Sequence, residues 1–440
     1  MEQQVAFGWK KPIQEEIYFY GRGIETREIL GHLSNNQSVF LIGSMKIGKT
    51  SLVLHLLRED VQQLQGILPK RHIFIYIDFN DPHYQTPNNF WADVMGEISL
   101  ILNTQKMREE QPKQQKKNVA PQTVEGSEHK EEVEDTEEEK KPVGYSNEEI
   151  TQFIENTTKK YQLTIIMDGF ECLMEKKVFG TEFYSKLKQL AGQISNLSYL
   201  IVSSKSYQEN DDLQASSLSG IFTTIQLGLL KKREAMAFLK QENSHAIDMN
   251  RKIAEWGYEV TGGHPYLLQI IGFHLDSCSI RTNEQLMSHC DEIMSKAITE
   301  CSSFFMNLLE DLSTEEREGL LALIRFKPIG NMIDLLAKKS LVRDHKSQKV
   351  FSEMFDRFLH EFWSDFAEKQ PAEIQVQFKQ KIFLVGIASS FFLIFMGSFA
   401  LLSSILVLGT FLFGVGILCF LVVVMFFNDK GYSPQKMLKS

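Results

Sequence analysis

The string GSMKIGKT at residues 43–50 constrains the fold of this chain more than any other feature, because it satisfies the pattern G-x-x-x-x-G-K-[ST]. An apolar run, Val39–Ile42, comes directly before it, and a helical pattern at Thr50–Leu64 follows. Glycines let backbone N–H groups turn inward around an anion, and a helix that starts there adds its positive end. A strand, an anion-binding loop and a helix in this order predict an α/β domain with a parallel sheet.

The residue types in this loop have distinct chemical roles. Lys49 can reach the β- and γ-phosphates of a nucleotide, and the Thr50 hydroxyl can ligate Mg²⁺. The nucleotide-binding candidates of this segment are Gly43, Ser44, Met45, Lys46, Ile47, Gly48, Lys49, Thr50 and Ser51.

Strand and helix patterns alternate along the first half of the chain. The predicted strands are 38–42, 72–79, 163–168, 199–203 and 221–229, and the predicted helices are 50–64, 88–102, 146–161 and 184–194. From about residue 231 to 363 the apolar spacing is mostly helical. We therefore expect a domain boundary near 230.

A second segment fits the same site. The apolar run Leu163–Asp168 predicts a strand that ends in a carboxylate. Sites in parallel sheets lie at the carboxyl ends of the strands, so Asp168 is expected near the metal bound by Thr50. An ordinary strand-terminal acid is the alternative. Ser203 and Ser204 end the next strand, where a γ-phosphate sensor would lie, although serine is also common in loops.

Three further strings give the chain a family resemblance. FYGR at 19–22, GGHPYLLQ at 262–269 and the segment 332–363 resemble STAND-type ATPases, which are relatives of AAA+ proteins and of the archaeal ATPase group. The resemblance covers about residues 15–365. It implies that Gly21 and Arg22 lie near the base of the nucleotide, and that His264 and Pro265 contact the nucleotide from a helical lid. A plain turn before a helix is the alternative reading of GGHP.

The resemblance also implies ATP and Mg²⁺ as ligands and hydrolysis as the activity. Members of the family commonly have Glu after the strand-terminal Asp, whereas this chain has Gly169 there and its nearest acid is Glu171. Either Glu171 takes over the role of that Glu or hydrolysis is slow, so Lys49 and Glu171 are the catalytic candidates. Arg22 and Arg233 are candidates for an arginine finger.

Four regions follow from these patterns. We expect a P-loop ATPase core at 15–230, a helical lid at 231–310, a winged-helix-like domain at 311–368 and two transmembrane helices at 382–427. Within the core, residues 105–142 carry eight Lys or Arg and eleven Asp or Glu with no aromatic residue. Such a segment cannot bury enough apolar area to offset its ordering entropy, so a mobile insertion is predicted, with an interaction tail as the alternative.

The segment 382–427 has 46 residues without Asp, Glu, Lys, Arg or His. As helix it would be about 69 Å long, and one membrane crossing needs about 20 residues, so two helices fit. A buried helix pair of a soluble domain is the alternative. Lysines flank both ends, which favours a hairpin with both ends in the cytoplasm. We expect a multi-pass membrane protein whose ATPase domain is cytoplasmic, with the lipid bilayer as a partner.

Charge and cysteine content restrict the other partners. A net charge of −9 and a pI near 5.8 argue against nucleic acid, although a winged helix raises DNA as a partner. The five cysteines form no CxxC pair and are expected to be reduced, and the N-terminus lacks the apolar region of a signal peptide. A homo-oligomer or a partner protein is expected to supply the trigger. The expected function is a membrane-anchored nucleotide-dependent switch. The alternatives are an ATP-gated membrane-perturbing effector of a bacterial defence system and a non-hydrolysing scaffold.

Overall fold

The computed structural model describes residues 7–84, 86–110, 145–176, 179–205, 218, 220–241, 249–325, 332–343 and 349–363. The chain divides into two compact units, Met1–Asp356 and Arg357–Ser440. The sheet and the candidate site both belong to the first unit.

A five-stranded parallel sheet forms the centre of this unit. Its strands are β1 (Ser38–Gly43), β2 (His72–Asp78), β3 (Gln162–Asp168), β4 (Leu197–Ser203) and β5 (Phe222–Leu227). Their order across the sheet is β2-β3-β4-β1-β5, and every adjacent pair is parallel. The predicted parallel α/β fold is therefore confirmed. Strand β4 lies between β1 and β3, which separates the strand before the glycine loop from the strand that ends at Asp168.

Helices cover both faces of the sheet. They are α1 (Gly23–Ser34), α2 (Lys49–Leu56), α3 (Glu59–Leu64), α4 (Pro87–Glu110), α5 (Asn147–Thr158), α6 (Glu171–Lys176) and α7 (Thr181–Gln193). Successive residues of a strand point to opposite faces. Phe40 of β1 accordingly packs into one apolar core, whereas its neighbours Val39 and Leu41 pack into the other. Strand β1, which leads into the glycine loop, is thus packed on both faces.

The prediction of one continuous helix at 50–64 is wrong, because this segment forms two helices, α2 and α3. Arg58 is extended, with φ −71° and ψ 130°, and it precedes α3. The break is stabilised by the Gln62 side-chain amide, which donates to the carbonyl of Leu56 at 3.0 Å. This amide takes the place of the backbone N–H that would bond to the Leu56 carbonyl in a continuous helix. Helix α1 has no counterpart in the sequence-based expectation, and α4 continues to Glu110, into the predicted insertion.

Helices dominate the chain after β5. They are α8 (Lys232–Lys240), α9 (Arg251–Thr261), α10 (Pro265–Ser277), α11 (Asn283–Glu310), α12 (Thr314–Ile324), α13 (Met332–Lys338) and α14 (Glu353–Phe358), followed by a π-helical turn at Leu359–Trp363. An antiparallel bridge joins Val342 and Val350 between α13 and α14. The boundaries of the lid and of the winged-helix-like domain stay predictions.

Two predicted segments fall where the structure gives no description. Most of the insertion at 105–142, from residue 111 onward, and the whole transmembrane hairpin at 382–427 lie outside the described residues. In the part of the chain that is described, no helix combines the length and apolar character needed to cross a bilayer.

Candidate nucleotide-binding site

The glycine loop connects β1 to α2 and is built to expose backbone N–H groups. Lys46 and Gly48 have φ of 57° and 97°, so the loop turns through the left-handed region twice. Such turns direct consecutive N–H groups to one side, at the start of α2. The Lys49 ammonium donates to the carbonyl oxygens of Gly43 at 2.8 Å and Ser44 at 3.0 Å. Burial lowers the pKa of Lys49, and the charges of Glu171 and Asp168 oppose that shift.

Thr50 and Asp168 meet across the sheet edge. The Thr50 hydroxyl lies near the Asp168 carboxylate and lowers its pKa, and Asp168 is only 2% exposed. The Gly169 N–H donates to Asp168 Oδ1 at 2.9 Å, and the Tyr76 hydroxyl donates to Oδ2 at 3.3 Å. Burial raises the pKa of Asp168 despite these hydrogen bonds. The site therefore holds a carboxylate whose negative charge is destabilised by its surroundings, which a bound cation would relieve.

These oxygens fit Mg²⁺ in the presence of a nucleotide. Mg²⁺ usually takes one or two protein carboxylates together with phosphate oxygens and waters. Asp168 and Thr50 supply such a set, whereas no group of three or more His, Cys, Asp or Glu in the described ranges could hold a metal by itself. A second carboxylate, Asp78, is the register partner of Asp168 at the end of β2. Its Oδ1 accepts from the Asn80 N–H at 3.0 Å and from the Asn80 amide at 2.7 Å.

Glu171 starts helix α6 beside this site. One of its carboxylate oxygens is fully buried and makes no hydrogen bond within the described residues. The negative charge of Glu171 also raises the pKa of Lys49, so its carboxylate lies near that ammonium. The residue directly after Asp168 is Gly169, which has no side chain. Gly169 has φ 69°, and a Cβ added there would lie 2.5 Å from the Asn80 side-chain nitrogen.

Arg22 is part of the wall of the loop. Its guanidinium is buried and donates to the Ile47 carbonyl at 3.1 Å and to Glu25 at 3.3 Å. Burial lowers its pKa in spite of the Glu25 charge. Arg22 holds the loop from behind and is not a free cation in this structure. Gly21 precedes it with φ 75°, and Arg233 is exposed on α8.

The turn before α10, residues 262–264, lies against the glycine loop. Gly262 and Gly263 have φ of 63° and 80°, and Pro265 is the first residue of α10. A Cβ built on Gly48 would lie 4.0 Å from Pro265 Cγ, so turn and loop touch. His264 is 1% exposed, and neither of its ring nitrogens is hydrogen-bonded in the described structure. Burial, followed by the charge of Arg22, lowers the pKa of His264 to about 3.

The two predicted sensor residues differ in their surroundings. Ser203 is completely buried, and its hydroxyl accepts from the Lys205 N–H at 3.1 Å. Ser204 lines a cavity of about 870 Å³ together with Gly43, Ser44 and Met45. The Ser44 hydroxyl is buried without a hydrogen bond among the described residues. Of the two serines, Ser204 is the one that shares a cavity with the loop.

A smaller cavity of about 290 Å³ lies against the other side of the loop. The N-terminal segment Trp9–Ile13 covers it, and the loop and the start of α2 form its base. The Ile13 N–H donates to the Ser51 hydroxyl at 3.0 Å, which ties the segment to α2. The aromatic side of the cavity consists of Phe19, Tyr20, Phe238 and Tyr266. Helix α10 contributes Pro265, Tyr266 and Gln269.

Sequence reasoning missed Asp78, which lies beside Asp168 at the end of β2. It had a usable signal, because HIFIYID at 72–78 is an apolar strand ending in Asp just as LTIIMD at 163–168 is.

A solved Walker-type ATPase supports the fold, and two further solved proteins are more distant in structure. The chain matches the Walker-type ATPase PABY2304 of Pyrococcus abyssi with a TM-score of 0.53 and 16% identity, over 81% of this chain and 100% of that one. The Aeropyrum pernix ORC1 protein in complex with DNA gives a TM-score of 0.38 at 13% identity, over 78% and 83%. A STAND protein with a tetratricopeptide repeat sensor, PH0952 from Pyrococcus horikoshii, gives 0.35 at 15% identity, over 87% and 47%.

No family model matches the sequence, and no curated protein matches it in a sequence search. The match to the Walker-type ATPase of Pyrococcus abyssi shows that the chain has a P-loop ATPase fold, and this similarity is one of structure.

Proposed function

We propose that this protein is a membrane-anchored, ATP-binding P-loop NTPase that works as a nucleotide-dependent switch and hydrolyses ATP slowly with Mg²⁺. The observation that carries the proposal is the placing of the Thr50 hydroxyl close enough to the Asp168 carboxylate to lower its pKa. It joins the two predicted motifs from distant parts of the sequence, directly beside Lys49. A structural loop with a chance sequence match would not require a buried carboxylate at this position.

The roles of the chain's own groups follow from their positions. Bound Mg²⁺ would offset phosphate charge, with Asp168 and Thr50 as its protein ligands. Lys49, which is bonded to loop carbonyls here, would exchange those acceptors for phosphate oxygens. Glu171 is the carboxylate available to orient or deprotonate water, because its buried oxygen has no hydrogen bond in the described structure.

The switch rests on contacts between the loop and the helices after residue 231. The Lys46 ammonium lies 3.8 Å from the centre of the Tyr266 ring, and it lies 6.0 Å from that of Phe304 on α11. Both rings belong to the predicted lid. Phosphate binding would draw Lys46 toward the anion and weaken its contact with these rings. The loop and the lid then favour different arrangements with and without nucleotide.

The membrane part of the proposal rests on sequence. The uncharged segment 382–427 is long enough for two crossings, so we infer a hairpin that anchors a cytoplasmic ATPase. A homo-oligomer or a partner protein would supply the trigger, and the acidic net charge disfavours nucleic acid. The same uncharged segment favours a second candidate, an ATP-gated effector that perturbs the bilayer. ATP-dependent leakage from vesicles that carry the full chain would favour the effector over the anchor.

The deciding experiment is ATP binding by the full chain in detergent. Lys49→Ala is expected to weaken ATP affinity by at least about tenfold, because a buried charge-assisted contact to phosphate is lost. Lys188→Ala removes a lysine from the exposed face of α7 and is the matched control, with wild-type affinity expected. Equal affinity of the Lys49→Ala variant and the wild-type protein would refute the proposed site.

A further inference from the structure

The N-terminal segment 7–13 connects helix α10 to helix α2 across the cavity beside the glycine loop. Residues 9–13 line this cavity of about 290 Å³, and Lys49 and Thr50 line it as well. The segment forms neither helix nor strand, so its position depends on its contacts with other elements. These contacts lie at its two ends and differ in kind.

The first end is anchored by aromatic packing. Phe7 is 1% exposed, and its ring centre lies 5.6 Å from that of Phe238 on α8. A Cβ built on Gly272 of α10 would overlap the Phe7 ring, so this ring rests directly on the helix backbone. The Trp9 ring centre lies 4.8 Å from that of Phe273, also on α10. Burial of the Phe7 ring makes this the firmly held end.

The second end is held by one hydrogen bond among the described residues. The Ile13 N–H donates to the Ser51 hydroxyl at 3.0 Å, in the first turn of α2. A single hydrogen bond of this kind adds less to stability than the burial of an aromatic ring. Residues 7–13 thus form a strap that is fixed at Phe7 and opens more easily at Ile13.

The charge of the cavity lets a bound anion act on the strap. Lys10 and Lys11 line the cavity together with Arg22, Lys46 and Lys49, whereas no Asp or Glu lines it in the described structure. The Lys10 and Lys11 ammonium groups make no hydrogen bond or ion pair with a described residue. An anion in the cavity attracts these cations and offsets their mutual repulsion. A ligand that carries phosphates therefore holds the strap closed more firmly than the empty cavity does.

We propose that the strap, residues 7–13, is the gate of the nucleotide site. It opens to let nucleotide enter and leave, and it closes more tightly over a bound nucleotide. Phe7 anchors the strap both with and without nucleotide, so the anchor controls the rates of association and dissociation equally and leaves the affinity unchanged. This inference rests on the proposed ATP site.

The test measures exchange rates in a variant whose altered residue lies outside the nucleotide cavity. Phe7→Ala weakens the anchor, and Phe7 does not line that cavity. Association and dissociation of a radiolabelled, non-hydrolysable ATP analogue are followed by rapid filtration, using the full chain in detergent with Mg²⁺. Both rate constants are expected to rise by at least about fivefold, while the Kd changes by less than about twofold.

A matched control separates loss of the anchor from loss of stability. Phe183→Ala removes an aromatic ring that is 3% exposed, in the core cluster that contains Phe40. This variant is expected to keep both wild-type rates. Unchanged rates in Phe7→Ala, or a higher Kd with an unchanged association rate, would overturn the gate.

A second measurement needs no change in the strap. Trypsin can cut after Lys10, whereas Pro12 prevents a cut after Lys11. ATP with Mg²⁺, at a concentration that saturates only the wild-type protein, is expected to slow this cut by at least about fivefold, because the closed strap withholds the bond from the protease. Lys49→Ala should be cut at the same rate with and without ATP. A wild-type protein that binds ATP without any protection of Lys10 would contradict the proposal.

The outcomes also separate this inference from the proposed function. ATP binding that depends on Lys49, with exchange rates unaffected by Phe7→Ala, would remove only the gate. Absence of Lys49-dependent binding would remove both.

Discussion

At the scale of single residues, the site combines groups that burial has altered. Lys49 and Asp168 both have pKa values shifted toward their neutral forms by burial, although each lies near an opposite charge. Hydrogen bonds from the Gly169 N–H and the Tyr76 hydroxyl keep the Asp168 oxygens in place. Lys49 and Asp168 have already lost their hydration on folding, so binding a phosphate or a divalent cation requires little further desolvation of these two side chains.

Glu171 is the residue on which turnover depends in our proposal. Glu171→Gln is expected to reduce ATP turnover by at least about 100-fold, the lower range for general acid–base catalysis, and to leave ATP affinity within a few-fold. The measurement is phosphate release by the full chain with excess Mg²⁺. Glu28→Gln, on the exposed face of α1, is the control. Undetectable turnover in the wild type would favour the non-hydrolysing scaffold, and unchanged turnover in Glu171→Gln would exclude Glu171 as the base.

His72 gives the folded state a dependence on pH that is separate from the site. It is buried at the start of β2, its Nε2 lies 2.7 Å from the Thr164 hydroxyl, and burial lowers its pKa to about 4. Unfolded histidine has a pKa near 6.5, so between about pH 4 and 6.5 the unfolded chain binds more protons than the folded one. The stabilising contribution is complete above about pH 6.5 and decreases as the pH falls through this window.

From pH 7 to pH 5 the free energy of unfolding should decrease by about 2 kcal/mol because of this group. The decrease is obtained from denaturant unfolding of the full chain in detergent at the two pH values. His72→Asn removes the titrating ring, so its decrease should be smaller by that amount. An identical pH dependence in both proteins would show that His72 does not carry this linkage.

At the scale of elements, the ends of β2 and β3 explain the missing glutamate. The Asp78 and Asp168 ends lie side by side in register, and the turn after β2 directs Asn80 toward Gly169. With φ 69° at Gly169 and the Asn80 amide at this point, a side chain after Asp168 has neither a relaxed backbone nor space. The carboxylate of Glu171, two residues later at the start of α6, is then the next one available.

This steric relation predicts coupled effects of two substitutions. Gly169→Ala is expected to destabilise the protein by about 1–2 kcal/mol from backbone strain, with a further loss from contact with Asn80. In the double variant with Asn80→Ala only the strain remains, so its loss should be smaller than the sum of the two single losses. Denaturant unfolding of the four proteins in detergent measures the difference.

Gly192→Ala is the control for these substitutions, because a Cβ there meets no atom within 4 Å and α7 gains helix propensity. Strict additivity of the Gly169→Ala and Asn80→Ala losses would show that the two side chains do not compete for the same space.

At the scale of the whole molecule, the GGHP turn connects the loop to the chain beyond α13. A Cβ on Gly262 would lie 1.7 Å from the Phe351 carbonyl oxygen, so these backbones are in direct contact. The Phe351 ring centre lies 5.7 Å from that of His264, and Phe304 lies 5.1 Å from it on another side. A nucleotide that moves the turn would therefore also move the segment around Phe351.

Gly262→Ala should break this connection. Its φ of 63° disfavours alanine, and the added methyl group displaces Phe351. The expected result is an ATP affinity lowered by about tenfold, because the turn that carries His264 and Pro265 shifts away from the loop. Binding by the full chain in detergent provides the measurement, again with Gly192→Ala as the control. Wild-type affinity in Gly262→Ala would show that the turn can move without affecting the nucleotide site.

Much of the fold was predictable because its signals are local. The strands HIFIYID and LTIIMD, the loop GSMKIGKT and the capping box at Ser146 and Glu149 are each specified by neighbouring residues. The break at Leu57–Arg58 was not predictable, because the Gln62 amide that stabilises it has no signature in an apolar pattern. The meeting of Thr50 with Asp168 followed from a general rule, since parallel strands end at one edge of a sheet.

The amino-acid sequence by itself determined the phosphate loop, the acid at the end of β3 and the alternation of strands and helices, because these depend on residue type and short-range spacing. Only the tertiary structure decided that β4 separates β1 from β3, that Asn80 excludes a side chain at Gly169, and that the turn at Gly262 lies against the backbone of Phe351. The physical reason is the same for all three. Each depends on side chains brought together by packing between elements far apart in the chain, and no local pattern records such contacts.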